Sequence, residues 1–121
     1  MIHVAAQADQ AYSLTYFKKS GMDIDEPDNE HSTALHWACF TGSDTAIYYL
    51  LAWGASVNLQ DIRGNTSLHL AIMSAEMFPS KRAIKELLIK GASRDILTKE
   101  GKNALDLSKE LKDEILGEEL S

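Results

Sequence analysis

Residues 32–38 read Ser-Thr-Ala-Leu-His-Trp-Ala, and residues 65–71 read Asn-Thr-Ser-Leu-His-Leu-Ala. The two phrases share their threonine, leucine, histidine and final alanine in the same order. The shared leucine stands at Leu35 and again at Leu68, 33 residues later. Self-similarity at a fixed period of this length predicts a stack of repeated units.

Shorter traces of the phrase extend the repeat to both ends of the chain. The leucine position is occupied by Ile2 before Leu35 and by Leu105 after Leu68, so the successive spacings are 33, 33 and 37 residues. Glycines at positions 21, 54 and 91 follow the same spacing. The four extra residues therefore belong to the third unit, and Pro79, which breaks helices, places them near residues 77–80.

The residues around each phrase predict helices. Thr33, Thr66 and Asn103 stand where a side-chain oxygen caps the first free N–H groups of a helix. Apolar residues follow at helical spacing, and glycine ends the stripes. The stripes comprise Leu35, Ala38 and Cys39, then Ala46, Ile47, Leu50 and Leu51.

The 33-residue period and the Thr-x-Leu-His-x-Ala phrase resemble the ankyrin repeat. The resemblance implies an all-α fold, an ankyrin-repeat solenoid of about three helix-turn-helix repeats plus a C-terminal capping repeat. The first copy begins in the middle of the phrase, so we expect this chain to be part of a longer one. We expect a single domain over 1–121, divided into repeat 1 (1–27), repeat 2 (28–60), repeat 3 (61–97) and the capping repeat (98–121).

Composition excludes several classes of protein. The net charge of −6 argues against a protein that holds nucleic acid through its overall field. One cysteine allows no internal disulfide and suits a reducing compartment. No apolar run approaches the roughly 20 residues that span a bilayer, and no secretory signal pattern opens the chain. We expect a monomer in the cytoplasm.

The histidines and the single cysteine are the candidates for a metal site or a catalytic residue. His3, His36 and His69 share one repeat position, and in ankyrin-like repeats this histidine bonds to neighbouring backbone. A structural role is favoured over zinc, which takes convergent ligands and commonly cysteine. Cys39 falls on a core position, where a thiol acts as a small apolar side chain. We expect no metal, no cofactor and no catalytic residue.

The charge is unevenly distributed. Residues 79–102 hold seven basic and three acidic side chains. A solvated helix face is the favoured interpretation; contact of Lys81, Arg82 and Lys85 with an acidic partner or anionic lipid headgroups is the alternative. Residues 23–30 form an acidic run, which we interpret as a solvated hairpin surface, with partner binding as the less favoured alternative.

Repeat stacks expose extended surfaces that bind proteins. Trp37 either anchors a partner in the groove between helices and hairpins or packs under its own hairpin; the sequence leaves both open. Tyr48, Tyr49 and Trp53 fall on outer helices, where we expect packing against neighbours. The predicted binding residues are Trp37, Phe40, Thr41, Leu70 and Met73 on the inner face, and Asn29, Glu30, Ile62, Arg63, Asn65, Lys99 and Glu100 at the hairpin tips.

A narrower resemblance concerns residues 35–39, 61–64 and 88–92, which look like the ankyrin regions of DHHC palmitoyltransferases. In that family the ankyrin part recruits protein substrates and acyl transfer occurs elsewhere. The resemblance implies a recruiting region at the cytosolic face of a membrane, which binds a protein or peptide and is not itself an enzyme. The alternative is a free-standing soluble adaptor, or an inhibitor of a cytosolic enzyme.

Overall fold

The computed structural model describes residues 15–16, 18–21, 23–74 and 82–110, with the backbone alone at 82 and 108–110. In this part of the chain all regular elements are helical, which confirms the expected fold class. The predicted insertion near 77–80, His3 and the end of the capping repeat lie outside the described residues. The helices with bounds are α1 (Ala34–Thr41), α2 (Asp44–Ala52), α3 (Ser67–Ser74), α4 (Arg82–Ile89) and α5 (Ala104–Glu110).

These helices form two layers. The inner helices α1, α3 and α5 pack in sequence, and the outer helices α2 and α4 pack against each other. Each outer helix also packs against the inner helix that precedes it. Consecutive units therefore meet through both layers, so each unit buries apolar surface that it could not bury alone.

The core follows the repeated stripes. Leu35 and Leu68, the leucines of the repeated phrase, are both buried, as are Ala38 and Ala71 three positions later. Small side chains at these alanine positions let the inner helices approach closely. The largest fully buried side chains are Leu35, Ile47, Leu50, Leu68, Ile72, Ile84, Leu87, His36 and His69.

Helix α1 begins and ends as its sequence predicts. The Thr33 hydroxyl oxygen accepts a hydrogen bond from the backbone N–H of His36, and Gly42 ends the helix at a φ of 69°. Helix α5 begins with a reciprocal pair, in which Asn103 Oδ1 accepts from the Asp106 N–H and Asp106 Oδ2 accepts from the Asn103 N–H. The expected caps at Thr33 and Asn103 are confirmed.

Before each inner helix the chain makes a turn closed by one side chain. Asp28 Oδ1 accepts from the backbone N–H groups of Glu30 (2.8 Å) and Ser32 (3.0 Å). Asp61 repeats the pattern 33 residues later with Arg63 and Asn65, each at 2.9 Å. In the first of these turns, the one closed by Asp28, His31 adopts a φ of 61°, the left-handed conformation that glycine favours.

A threonine replaces the aspartate in the third turn. Thr98 Oγ1 accepts from the N–H groups of Glu100 and Lys102, at the longer distance of 3.3 Å in both cases. Successive turns also bond to one another, since Ile62 N–H donates to Glu30 O and Lys99 N–H donates to Arg63 O. The three hairpin tips therefore form one connected edge.

Side-chain hydrogen bonds also join neighbouring repeats. Asp25 accepts from the backbone N–H and the hydroxyl of Ser56, at 2.9 and 2.8 Å. Asn58, 33 residues after Asp25, donates to Gly91 O and accepts from Ser93 N–H. The interpretation of the 23–30 run as a merely solvated surface is therefore wrong for Asp25 and Asp28, because their carboxylates hold turns and neighbouring repeats.

The outer aromatic residues differ in how far they pack. Tyr48 is 63% exposed and Tyr49 is 36% exposed, whereas Trp53 packs partly against the core. Tyr49 and Trp53 pack against each other as expected, with ring centroids 5.7 Å apart, but Tyr48 meets the expectation only in part, because α2 turns it towards solvent while Ala46, Ile47, Leu50 and Leu51 fill the core.

The buried leucine of the repeated phrase provides a test of the stack. We expect Leu68→Ala to lower the free energy of unfolding by about 2–5 kcal/mol, since Leu68 is fully buried and its truncation leaves a cavity. Leu97→Ala is the control, because Leu97 is 54% exposed and the same truncation should cost less than about 0.5 kcal/mol. Urea unfolding followed by circular dichroism measures both. Equal losses would contradict the two-layer core.

The contact between the second and third turns provides another test. Gly64 and Gly54 have nearly the same positive φ, 82° and 85°, but a Cβ at Gly64 would lie 2.7 Å from the backbone nitrogen of Lys99, whereas one at Gly54 meets nothing within 4 Å. Gly54→Ala should cost about 1–2 kcal/mol for the backbone conformation alone. Gly64→Ala should cost clearly more in the same unfolding experiment. Equal costs would mean that the two turns do not touch there.

Candidate functional site

The first structural feature of the site is the histidine of the repeated phrase. His36 is buried, and its Nδ1 accepts a hydrogen bond from the backbone N–H of Thr33 at 3.0 Å. The Thr33 hydroxyl lies 2.8 Å from the same nitrogen. On the other side of the ring, Nε2 lies 3.1 Å from Asn65 O. Since a carbonyl oxygen only accepts, this network assigns the proton to Nε2.

His69 repeats this arrangement one unit later. Its Nδ1 accepts from Thr66 N–H at 3.1 Å, and its Nε2 donates to Lys102 O at 3.2 Å. Each imidazole therefore holds the start of its own inner helix and the turn of the next repeat. Burial lowers the pKa of both His36 and His69, against smaller opposing effects of backbone hydrogen bonds and nearby carboxylates.

Above this framework lies a groove formed by α1, α3 and the first two turns. Trp37 is half-buried, and its Nε1–H donates to Asp28 Oδ2 at 2.8 Å. Phe40, one turn along α1, is 53% exposed and packs edge-on against Trp37 with ring centroids 6.2 Å apart. The groove thus presents two aromatic rings, one of which is held in place by its own hairpin.

The groove has a volume of about 250 Å³. Leu70, which is only 8% exposed, contributes to its lining from α3, and His36 lies buried beside it. At the rim, Arg63 Nη1 lies 3.8 Å from Glu30 Oε2, and both side chains are well exposed. An apolar floor with a charged rim is the arrangement expected of a site for an extended peptide or a protruding side chain.

The structure brings together five of the predicted binding residues and leaves the others elsewhere. Trp37, Phe40, Leu70, Glu30 and Arg63 line the groove. The other seven do not belong to the described lining. The Thr41 hydroxyl donates to Trp37 O, Met73 packs against the core, and the backbone of Asn65 bonds to His36 and Asp61. The remaining four are exposed at the hairpin tips: Asn29, Ile62, Lys99 and Glu100.

Three residues of the groove lining were not predicted from the sequence: Ser32, His36 and Asp61. A signal for Asp61 was present, because Asp28 and Asp61 are 33 residues apart and each stands five residues before a capping threonine. Nothing in the sequence indicated that Asp28 also bonds to the indole of Trp37.

Other reactive groups offer little chemistry. Cys39 is buried, and burial raises the pKa of its thiol far above the usual range, so the thiolate that a nucleophile needs is strongly disfavoured. In the described ranges, no group of three or more His, Cys, Asp or Glu residues could hold a metal ion. Among the helices that the structure describes, none has the length and apolar character to cross a membrane.

Comparison with known families identifies the repeats. A family model described as "Ankyrin repeats (3 copies)" matches residues 1–61. The match covers half of the chain, including the turn closed by Asp28 and the first complete copy of the repeated phrase.

Curated relatives match over more of the chain. A probable palmitoyltransferase, AKR2 of Saccharomyces uvarum, is 33% identical over 74% of this chain. A putative palmitoyltransferase, ZDHHC13 of Danio rerio, is 30% identical over 89% of it. A BTB/POZ domain and ankyrin repeat-containing protein, NPR1 of Malus hupehensis, is 35% identical over 91% of it. The matches span only 12%, 16% and 18% of these relatives, respectively.

The buried histidines predict a dependence of stability on pH. Because the pKa of each ring is lowered in the folded chain, the unfolded chain binds protons more readily below the ordinary histidine pKa of 6.5. The histidine contribution to stability should be fully present above pH 6.5 and be lost as the pH falls towards the folded-state pKa values. Protonated Nδ1 would also oppose the Thr33 N–H instead of accepting from it.

Urea unfolding between about pH 7.5 and 5 measures this dependence. The control is the double variant His36→Gln/His69→Gln, which should be less stable at neutral pH but should lose less stability on acidification. The same slope in the control and the wild-type chain would contradict a histidine origin.

Proposed function

Because this chain belongs to the ankyrin-repeat family, we propose that it is a protein-recognition module whose groove binds a peptide or a folded partner. The observation that carries this proposal is the pair of aromatic rings, Trp37 and Phe40, that line the groove. Phe40 is more than half exposed beside Trp37, so the two rings present adjacent apolar surface that a docked partner would remove from water.

Trp37 is suited to act as the anchor. The hydrogen bond to Asp28 satisfies the indole N–H and fixes the ring before a partner arrives. A prepositioned aromatic ring loses little conformational freedom on binding, so more of its contact energy contributes to affinity. Both alternatives raised by the sequence therefore enter the proposal: the indole is held by its own hairpin and still lines the groove.

The rim and the tips would select the partner. The exposed Glu30–Arg63 pair is worth little in the free chain, so a partner of complementary charge could replace it at small cost. Further along the connected edge of turns, Ile62 is 46% exposed and Lys99 and Glu100 are exposed. Together with Asn29, these residues offer contacts beyond the groove.

The parent protein is a further part of the proposal. Two of the three relatives described above carry the name palmitoyltransferase, which supports a substrate-recruiting region of such an enzyme at the cytosolic face of a membrane. Acyl transfer would then be carried out elsewhere in the longer protein. Lys85, exposed on α4, could lie near anionic headgroups together with Lys81 and Arg82.

A free-standing adaptor or inhibitor of a cytosolic enzyme is the second candidate. What keeps it open is that similar repeats also occur in a relative that does not carry the name palmitoyltransferase, the NPR1 protein, which is 35% identical over 91% of the chain. Sequencing the transcript through both ends of this region separates the two candidates. Downstream membrane spans with an Asp-His-His-Cys stretch would establish the recruiting region, and a stop codon directly after Ser121 would exclude it.

Variants of the aromatic pair test the groove itself. Peptides selected from a phage-displayed library on the whole 121-residue chain serve as ligands. We expect Trp37→Ala to weaken their binding by about 30-fold, as for a buried interface anchor, and Phe40→Ala to weaken it by about fivefold or more. Fluorescence anisotropy of the labelled peptides measures the affinities, and circular dichroism checks folding.

Tyr16→Ala is the control, because Tyr16 is an aromatic residue that is 67% exposed and does not line the groove. It should leave the affinities unchanged. Selected peptides that bind equally to the wild-type chain and to folded Phe40→Ala and Trp37→Ala variants would overturn the proposed groove.

A further inference from the structure

A second cleft lies in the outer layer, separate from the groove on the inner helices. It is formed between α2 and α4 and has a volume of about 250 Å³. Asp44, Tyr48 and Tyr49 line it from α2, and Ala83 and Glu86 line it from α4. The proposed function of the inner groove makes no use of this surface.

The cleft is bordered by a row of aromatic rings. Tyr48 and Tyr49 pack edge-on with ring centroids 5.8 Å apart, and Tyr49 lies 5.7 Å from Trp53. Trp53 packs in turn against the core. The row is therefore anchored at one end and exposed at the other, where Tyr48 is 63% accessible to solvent.

Two observations indicate that a cation fits this surface. The chain already places one on the row, since Lys18 Nζ lies 5.9 Å from the centroid of the Trp53 ring. The described part of the cleft lining carries two carboxylates, Asp44 and Glu86, and no basic side chain. Asp44 lies in the first turn of α2 and partly offsets the positive end of that helix, so Glu86 supplies most of the attraction.

We propose that this cleft binds an arginine side chain from a basic segment of a partner protein. The planar guanidinium stacks on the tyrosine rings while its N–H groups donate to the carboxylate of Glu86. A lysine ammonium is a compact point charge and cannot do both with the same geometry. The net charge of −6 adds a general attraction for a basic segment.

A titration with a minimal probe tests this proposal. The whole 121-residue chain, labelled with nitrogen-15, is titrated with acetyl-Gly-Arg-Gly-amide and its amide resonances are followed by NMR. We expect shifts confined mainly to α2 and α4, and an affinity about three- to fivefold above that of the neutral citrulline peptide. Equal affinities, or shifts confined to the inner helices and turns, would overturn the proposal. A lysine peptide that binds as tightly would overturn the choice of arginine.

Two matched pairs of variants locate the site. Tyr48→Ala and Glu86→Gln should each reduce the affinity for the arginine peptide to near that for the citrulline peptide. Tyr16→Ala and Glu100→Gln make the same chemical changes at exposed positions outside the cleft and should have no effect. An equal loss with Glu100→Gln would show attraction to net charge alone and would overturn the site. Trp37→Ala should leave the affinity for the arginine peptide unchanged, so the proposal for the outer cleft and the proposal for the inner groove can be refuted independently.

Discussion

The stack depends on one interaction, the two-sided hydrogen bonding of a buried imidazole. In His36, one ring nitrogen accepts from the start of its own helix and the other donates to the carbonyl of Asn65 in the next turn. His69 does the same with Thr66 and Lys102. A neutral imidazole is the only side chain that combines an acceptor and a donor on opposite edges of a rigid ring. These hydrogen bonds therefore fix the position of each inner helix relative to the hairpin turn of the next repeat.

The groove follows from that registry. Once the turn of each repeat is held over the preceding inner helix, Asp28 can close its own turn with one oxygen and bond to Trp37 with the other. The indole is then fixed beside Phe40, and the bonds between successive turns hold Glu30 and Arg63 at the rim. A partner that docks in this groove, as proposed above, would meet a surface that needs little reorganisation, which favours affinity.

The two layers present different chemistry to solvent. The inner groove combines an apolar floor with one acid and one base at its rim, whereas the outer cleft joins tyrosine rings to two carboxylates. Repeat stacks can carry independent surfaces of this kind because each unit contacts mainly its neighbours, so a surface residue can change without disturbing the core.

Much of the architecture could be read from the chain itself. The 33-residue period, the capping threonines and the leucine and alanine positions specify helices, their order and their buried faces, because these depend on local hydrogen bonds and on apolar periodicity. The resemblance to ankyrin repeats implied the structural role of His36 and His69, although their bonding partners lie 29 and 33 residues away. Five of the twelve predicted binding residues line one groove. Their repeat positions place them on the inner helices and on the turns, which face each other across that groove.

The tertiary structure alone decided the rest. Whether Trp37 faced the core or the groove depended on its bond to Asp28, and the placement of Thr41 and Met73 depended on internal contacts that no local pattern encodes. The acidic run looked solvated because the sequence does not show that Asp25 reaches Ser56 in the next repeat. The large exposure of Tyr48 could not be predicted, because it depends on how α2 is rotated against α4. Periodicity determines which residues recur, but the rotation and spacing of the packed helices determine which of them meet.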